Sequence, residues 1–327
     1  MNVQGKKIYV GLSGGVDSAV SASLLLKAGA EVTGVYIKGW YPPGMPCTWA
    51  SERRDAMRVA ARLHIPFHTL DASAEYKKYV IDYLLAEYRD GRTPNPDVMC
   101  NREVKFGAFY RFAKESDADA IATGHYTSGE KDQRYFLWAV PKDILESTLF
   151  PVGKMEKSDV RSLAKRFNLP VAEKKDSQGV CFLGSISVEE FLKKELGSDN
   201  PALLYTLGQR VSSEDLPYVV LKEQGPWYVV SKDIERKEVT VSKTRESTAT
   251  IISFREANWF ADPVTATSAQ YRYRGAHISG HIEKSDFKNP ESLTFQCVDP
   301  LLEIPTPGQS VVFYSGDELV GGGIIES

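Results

Sequence analysis

Two features of this chain carry residues able to do chemistry. The octapeptide GLSGGVDS, Gly11 to Ser18, lies between an apolar run and a helical pattern. Gly14 and Gly15 let backbone N–H groups turn toward an anion. Ser13 and Ser18 add hydroxyl donors, and the helix N-terminus adds partial positive charge. Phosphate is the natural guest; a plain strand-to-helix turn, where Gly and Ser are common, is the competing reading. The loop has no lysine to satisfy GxxxxGK[ST], and it is not GxGxxG. The second feature is a pair of cysteines, Cys100 and Cys181, each behind a polar, turn-forming segment, TPNPDVM and KKDSQGV. A reactive thiolate needs partial exposure and a nearby positive charge or helix N-terminus. Cys100 precedes a helical pattern, and Lys174 and Lys175 lie shortly before Cys181. Burial as a small hydrophobe is the commoner fate of cysteine and stays open on the residues alone. Cys47, in a Pro-rich loop, and Cys297, in TFQCV, read as non-catalytic.

Elements able to hold these residues alternate over residues 6 to 125. KIYVGL reads as a buried strand, SAVSASLLLKAG as a helix closed by Gly29, and EVTGVYIKGW as a second strand. A helix over Ser51 to His64 places Ala56, Val59, Ala60 and Leu63 on one face, and IPFHTL follows as a strand. A tyrosine-rich helix (Tyr76, Tyr79, Val80, Tyr83, Leu84), a helix from Glu103 to Lys114 and the strand ADAIATGHY complete the run. Strands separated by helices predict a parallel sheet with ligands at the carboxyl ends of its strands. SISVEEFLKKELG is a joining helix, with Ser187 and Glu190 as a capping box and Gly197 as its stop. From about 205 the period changes to nine short β-rich segments, from YTLGQRV to GGGIIES.

The totals fit a folded chain of about two domains. Its 327 residues carry a net charge of −3, which argues against coating nucleic acid by bulk positive charge. A local basic patch stays open: Lys154, Lys157, Arg161, Lys165, Arg166, Lys174 and Lys175 face only Glu156, Asp159 and Glu173. A solvated helix face is the equal alternative. The four cysteines form no CxxC, so neither a disulfide framework nor a zinc or iron–sulfur site is expected. With no signal-peptide pattern and no run of about 18 apolar residues, a cytoplasmic protein with no membrane contact is expected.

SGGxDS resembles the pyrophosphate loop of the N-type ATP pyrophosphatases, which split ATP between the α- and β-phosphates. After it come GRTPNPDVMCN, ATGHY, KDQRYF, KKDSQGVCF, YTLGQR, RYR and PGQSVVFY. In that order they resemble the tRNA-specific 2-thiouridylase family almost end to end. The resemblance implies an α/β N-terminal domain with a parallel sheet flanked by helices (1–200), a small central β-rich domain (201–246) and a C-terminal β-barrel that contacts tRNA (247–327). It implies that Gly11, Leu12, Ser13, Gly14, Gly15, Val16, Asp17 and Ser18 hold ATP with its Mg²⁺, Asp17 lying near the metal, and that Ile37 and Gly124 also contact ATP. No protein metal site is implied. It further implies that Asn95, Pro96 and Asp97 line a flipped wobble uracil, with Asp97 a general base and His125 beside the base or nucleotide. Lys131, Asp132, Gln133, Arg272, Tyr273 and Gln309 would touch the tRNA, near its anticodon stem-loop. Cys181 would bring sulfur as a persulfide from a cysteine desulfurase or sulfur-relay protein, and Cys100 would release it, by attacking the persulfide to free hydrosulfide or by taking part in the transfer, leaving a Cys100–Cys181 disulfide. Three departures stand out: a short segment between GHY and KDQ followed by Arg134 instead of Ser, a compressed lead-in to YTLGQR, and Asp97 where some members carry cysteine. Another ATP pyrophosphatase that forms amides, or a non-catalytic tRNA-binding relative, is the alternative function.

Overall fold

The computed structural model describes residues 2–43, 49–175, 187–212, 226–245, 247–283 and 293–326. The chain forms two compact units, Met1–Ile81 with Asp97–Ile186, and Asp82–Pro96 with Ser187–Ser327. The second unit therefore takes a short excursion out of the N-terminal half.

The first unit is built on five parallel strands: β1 (Lys7–Gly11), β2 (Glu31–Lys38), β3 (Phe67–Asp71), β4 (Ala120–Ala122) and β5 (Thr148–Leu149), in the order β3-β2-β1-β4-β5. Alternation along β1 sends Ile8 and Val10 into one core with Ala19, Val20, Val59 and Val160, whereas Tyr9 packs in another with Val35, Phe106 and Phe109. Both faces are thus covered, as a parallel sheet requires. Phe106 and Phe109 are fully buried, and each such ring contributes about 1.5–3 kcal/mol. The helices are α1 (Val16–Lys27), α2 (Trp49–Leu63) and α3 (Ser73–Tyr76), which runs through a π-helical stretch, Lys77–Asp82, into α4 (Tyr83–Arg89). Then come α5 (Pro96–Cys100), a second π-helical stretch, Asn101–Ala108, leading into α6 (Phe109–Glu115), and further on α7 (Lys142–Glu146) and α8 (Lys157–Arg166). The helix expected over Glu103–Lys114 therefore starts earlier, at Pro96. Val98, Met99, Cys100 and Asn101 are all buried, so no amphipathic stripe marks this first part.

In the second unit, Ser187 and Glu190 form the expected capping box at the start of α9 (Val188–Leu196), and Gly197 ends it in the left-handed region. After α10 (Pro201–Leu204), each of the nine β-rich segments contains a strand. β6 (Arg210–Val211), β7 (Trp227–Asp233) and β8 (Glu238–Ser242) make an antiparallel sheet. β9 (Ile251–Trp259), β10 (Ser268–Gln270), β11 (Ile278–Ile282), β12 (Leu293–Cys297), β13 (Ser310–Ser315) and β14 (Glu318–Ile325) close into a barrel. Phe254, Phe295 and Phe313 fill it, ring centroids 4.8 and 5.4 Å apart, and closure leaves the barrel no free edge. The expected fold class, a parallel α/β domain followed by β-rich parts ending in a barrel, is what the chain adopts. Among the described residues no helix is long and apolar enough to cross a membrane.

Candidate active site

The order β3-β2-β1-β4-β5 places strands on both sides of β1, so the connections leaving β1 and β4 diverge at their carboxyl ends, where open α/β sheets bind ligands. The loop from Gly11 to Ser18 leaves β1 at this point. Gly14 has φ +75°, and a Cβ there would meet the Glu52 carbonyl oxygen at 2.4 Å. Gly15 caps α1 with no side-chain hydrogen bond, so the helix's first N–H groups take no side-chain acceptor from the cap. Ser13 and Ser18 are cross-linked: the Ser18 hydroxyl accepts from Ser13 N–H and contacts Ser13 Oγ, both at 3.3 Å. Gly124 follows β4 and approaches the same helix start, where a Cβ would lie 2.8 Å from Ser18 N. Ile37 stands near the carboxyl end of neighbouring β2 and packs partly buried on the opposite core. The structure thus brings Gly124 against Asp17 and Ser18, and sets Ile37 one strand away.

Two lysines flank this loop. Lys157, at the start of α8, contacts Asp17 at 2.7 and 2.8 Å, while the Tyr126 hydroxyl donates to the same carboxylate at 2.7 Å. Lys174 donates to the Gly14 carbonyl at 3.0 Å and to Asp55 at 2.8 Å. The sequence leaves this basic run between a solvated face and a patch. It does not connect Lys157, Tyr126 or Asp55 with the loop, because those contacts span 109 to 140 residues or link separate helices. Lys174, read as a charge shortly before Cys181, has its ammonium on the Gly14 carbonyl of the Gly11–Ser18 loop. Loop amides, hydroxyls and two ammonium groups are a donor set that fits a polyphosphate.

His125 contacts the Thr123 hydroxyl through Nδ1 at 3.0 Å and packs on Phe106, centroids 5.3 Å apart. Burial, assisted by Lys105, pushes its pKa down to about 3, so the ring is neutral at working pH. Gln133 closes the short segment after GHY: its side-chain oxygen accepts from Tyr126 N–H, and its own N–H donates to the Tyr126 carbonyl, both at 3.0 Å. Arg134 clamps Asp132 at 2.6 and 2.9 Å. Asp132 and Gln133, both expected on tRNA, thus have local structural partners.

Cys100 corrects an expectation. A reactive thiol here is expected to be partly exposed; Cys100 is 2 % exposed, inside the helical run from Pro96 to Glu115. Its neighbour Asn101 is also buried, and donates to the Phe136 carbonyl at 3.0 Å. Asn95, Pro96 and Asp97 are partly exposed between the buried pairs Thr93–Pro94 and Val98–Met99. Cys181 and Cys47 fall outside the described residues. Cys297 lies in the barrel, where burial raises its thiol to about 11, as befits an inert cysteine.

In the second unit, Arg272 sits 3.1 Å from Glu303 and packs on Gly208. Tyr273 is partly exposed under the Arg274 guanidinium, 5.3 Å from its ring centre. Gln309 donates to the Thr93 and Pro94 carbonyls at 2.8 and 3.1 Å.

Residues 6–185 match the family model described as tRNA methyl transferase HUP domain, and residues 249–325 that described as aminomethyltransferase beta-barrel domain. The tRNA-specific 2-thiouridylase MnmA of Shewanella denitrificans is 38% identical over 366 aligned residues, covering 99% of this chain and 96% of that protein. Those of Pseudomonas fluorescens and Enterococcus faecalis are 38% and 37% identical, each covering 98% of this chain and 95% of the relative. The chain belongs to the tRNA-specific 2-thiouridylase family. The 366 positions aligned with the Shewanella denitrificans relative exceed this chain's 327 residues, so at least 39 stand opposite gaps here.

Proposed function

We propose that this protein catalyses ATP-dependent 2-thiolation of the wobble uridine of tRNA. The observation that carries the reading is the Gly11–Ser18 loop at the start of α1, flanked by Lys157 and Lys174, in a chain 38% identical to a 2-thiouridylase over nearly its whole length. The loop amides, Ser13 and Ser18 would hold the pyrophosphate portion of ATP. Lys157 and Lys174 would exchange part of their contact with Asp17 and Asp55 for phosphate oxygens. Mg²⁺, bound with the nucleotide, would supply neutralising charge, and Asp17 is the residue proposed to hold it. Gly124 and Ile37 would border the nucleotide.

The uridine C2 carbonyl oxygen attacks the α-phosphate, forming an adenylated base and releasing pyrophosphate. The base must leave its stack for this, and Asn95, Pro96 and Asp97 are the partly exposed residues proposed to receive it. His125, its pKa held low by burial, is proposed as a neutral hydrogen-bonding neighbour of the base or nucleotide. We assign Cys181 as the persulfide carrier. Cys100 thiolate attacks its inner sulfur, forming the Cys100–Cys181 disulfide and expelling hydrosulfide, which displaces AMP from C2. External thiol then reduces the disulfide. Because Cys100 is buried, this reading requires its sulfur to become accessible during the cycle. Lys131, Asp132, Gln133, Arg272 and Tyr273 are proposed tRNA contacts, a cysteine desulfurase or sulfur-relay protein the donor, and the cytoplasm the location.

Mass spectrometry of nucleosides from tRNA incubated with protein, ATP, Mg²⁺ and a persulfide donor tests this. Wild type should make 2-thiouridine, and Cys100→Ser and Cys181→Ser should each abolish it. Normal thiolation by either variant would sink the two-cysteine mechanism; none by wild type would sink the activity.

A further inference from the structure

Segment Asp82–Pro96 lies in the N-terminal half of the sequence but belongs to the compact unit that contains the barrel. Its attachment is specific. Glu87, buried, accepts two hydrogen bonds from Arg92 at 2.7 Å and two from Arg255 of β9 at 3.1 Å. Thr93 N–H donates to the Pro307 carbonyl at 2.8 Å. Gly308 has φ +90°, and a Cβ on it would lie 2.9 Å from the Thr93 carbonyl carbon and oxygen, so the two backbones are in direct contact. The Gln309 side chain completes the attachment by donating to Thr93 and Pro94. Facing two carbonyl oxygens, the amide must present its NH₂ and spend both donors there. The Gln309 backbone is held in turn, its carbonyl accepting from Ile325 N–H at 2.8 Å.

A residue expected on tRNA is therefore bonded, through both of its donors, to the chain that leads directly into Asn95 and Pro96. Resting on the functional reading above, we propose that Gln309 is a positioning residue. Through the Thr93 and Pro94 carbonyls it fixes the turn that receives the flipped base, so the barrel's Pro307–Gln309 corner controls the rate of thiolation and not the affinity for tRNA.

The test compares wild type with Gln309→Met, which keeps the length and loses both donors, and with Gly308→Ala, which pushes Thr93 away and leaves Gln309 in place. Three quantities are measured: single-turnover thiolation at saturating tRNA and ATP, the tRNA dissociation constant by filter binding, and amide hydrogen exchange over residues 92–97. Since displacement by about 1 Å can cost on the order of 100-fold in rate, both variants should lose about 10- to 100-fold in saturating rate. Their tRNA dissociation constants should stay within about twofold of wild type, with faster exchange at 92–97. A weakened dissociation constant with the saturating rate kept would make Gln309 a direct tRNA contact and overturn the proposal. Unchanged rate and exchange would overturn it equally. If either variant is unfolded by circular dichroism, the milder Gln309→Asn is measured by the same three readouts and decides. A wild type that makes no 2-thiouridine overturns the functional reading instead, a result distinct from any of these.

Discussion

At the scale of single residues, the Gly11–Ser18 loop is held by charges that a bound nucleotide would have to share. Lys157→Ala removes an ammonium 2.7 Å from Asp17 and should raise the KM for ATP about 10-fold, the size of one charge-assisted contact, with little change in tRNA affinity. Steady-state kinetics at varied ATP checks this; an unchanged KM would remove Lys157 from the site. Gly14→Ala forces a left-handed φ on alanine, costing about 1–2 kcal/mol, and drives a methyl into the Glu52 carbonyl. Its thermal midpoint should drop and nucleotide protection should vanish. His125 makes a prediction about pH. Its folded pKa of about 3 lies below the ordinary 6.5, so between these values the unfolded chain binds more protons and stability falls as pH is lowered. Urea midpoints should decline less from pH 7 to pH 5 in His125→Gln than in wild type, and the thiolation rate should show no titration near 6.5 that this variant removes.

At the scale of elements, the helical run from Pro96 to Glu115 shows where periodicity misleads. Pro96 presets the first helical φ, and Asp97 places negative charge in the first turn, both legible start signals. They were outweighed because four successive buried residues and a π-helical stretch erase the 3.6-residue stripe. The consequence is chemical: Cys100 becomes a buried helix residue and not a loop-end thiol. By contrast, the Ser187–Glu190 capping box was readable because both bonds are local, at 3.1 and 3.0 Å. Ser187→Ala should cost about 1 kcal/mol in chemical denaturation. Gly29 and Gly197 closed their helices where the sequence placed them, again through local backbone geometry.

At the scale of the whole molecule, the excursion Asp82–Pro96 makes the linear division of the chain differ from its compact units. A fragment of residues 1–200 would keep Glu87, Thr93 and Pro94 but lose Arg255, Pro307 and Gln309. Limited proteolysis should cut it within 82–96 at conditions where the full chain resists; resistance of the fragment would show that these contacts are dispensable. The sequence by itself determined the Gly11–Ser18 strand-to-helix loop, the α/β-to-β change and all nine β-rich segments. Each is written in short-range pattern: Gly and Ser at a strand-to-helix turn, period 3.6 giving way to period 2. Only the tertiary structure decided that Lys157 and Lys174 stand on the loop, that Cys100 is buried and that Gln309 holds Thr93 and Pro94. Those contacts join residues up to 216 positions apart, and chain spacing carries no record of which distant partners packing will bring within 3 Å.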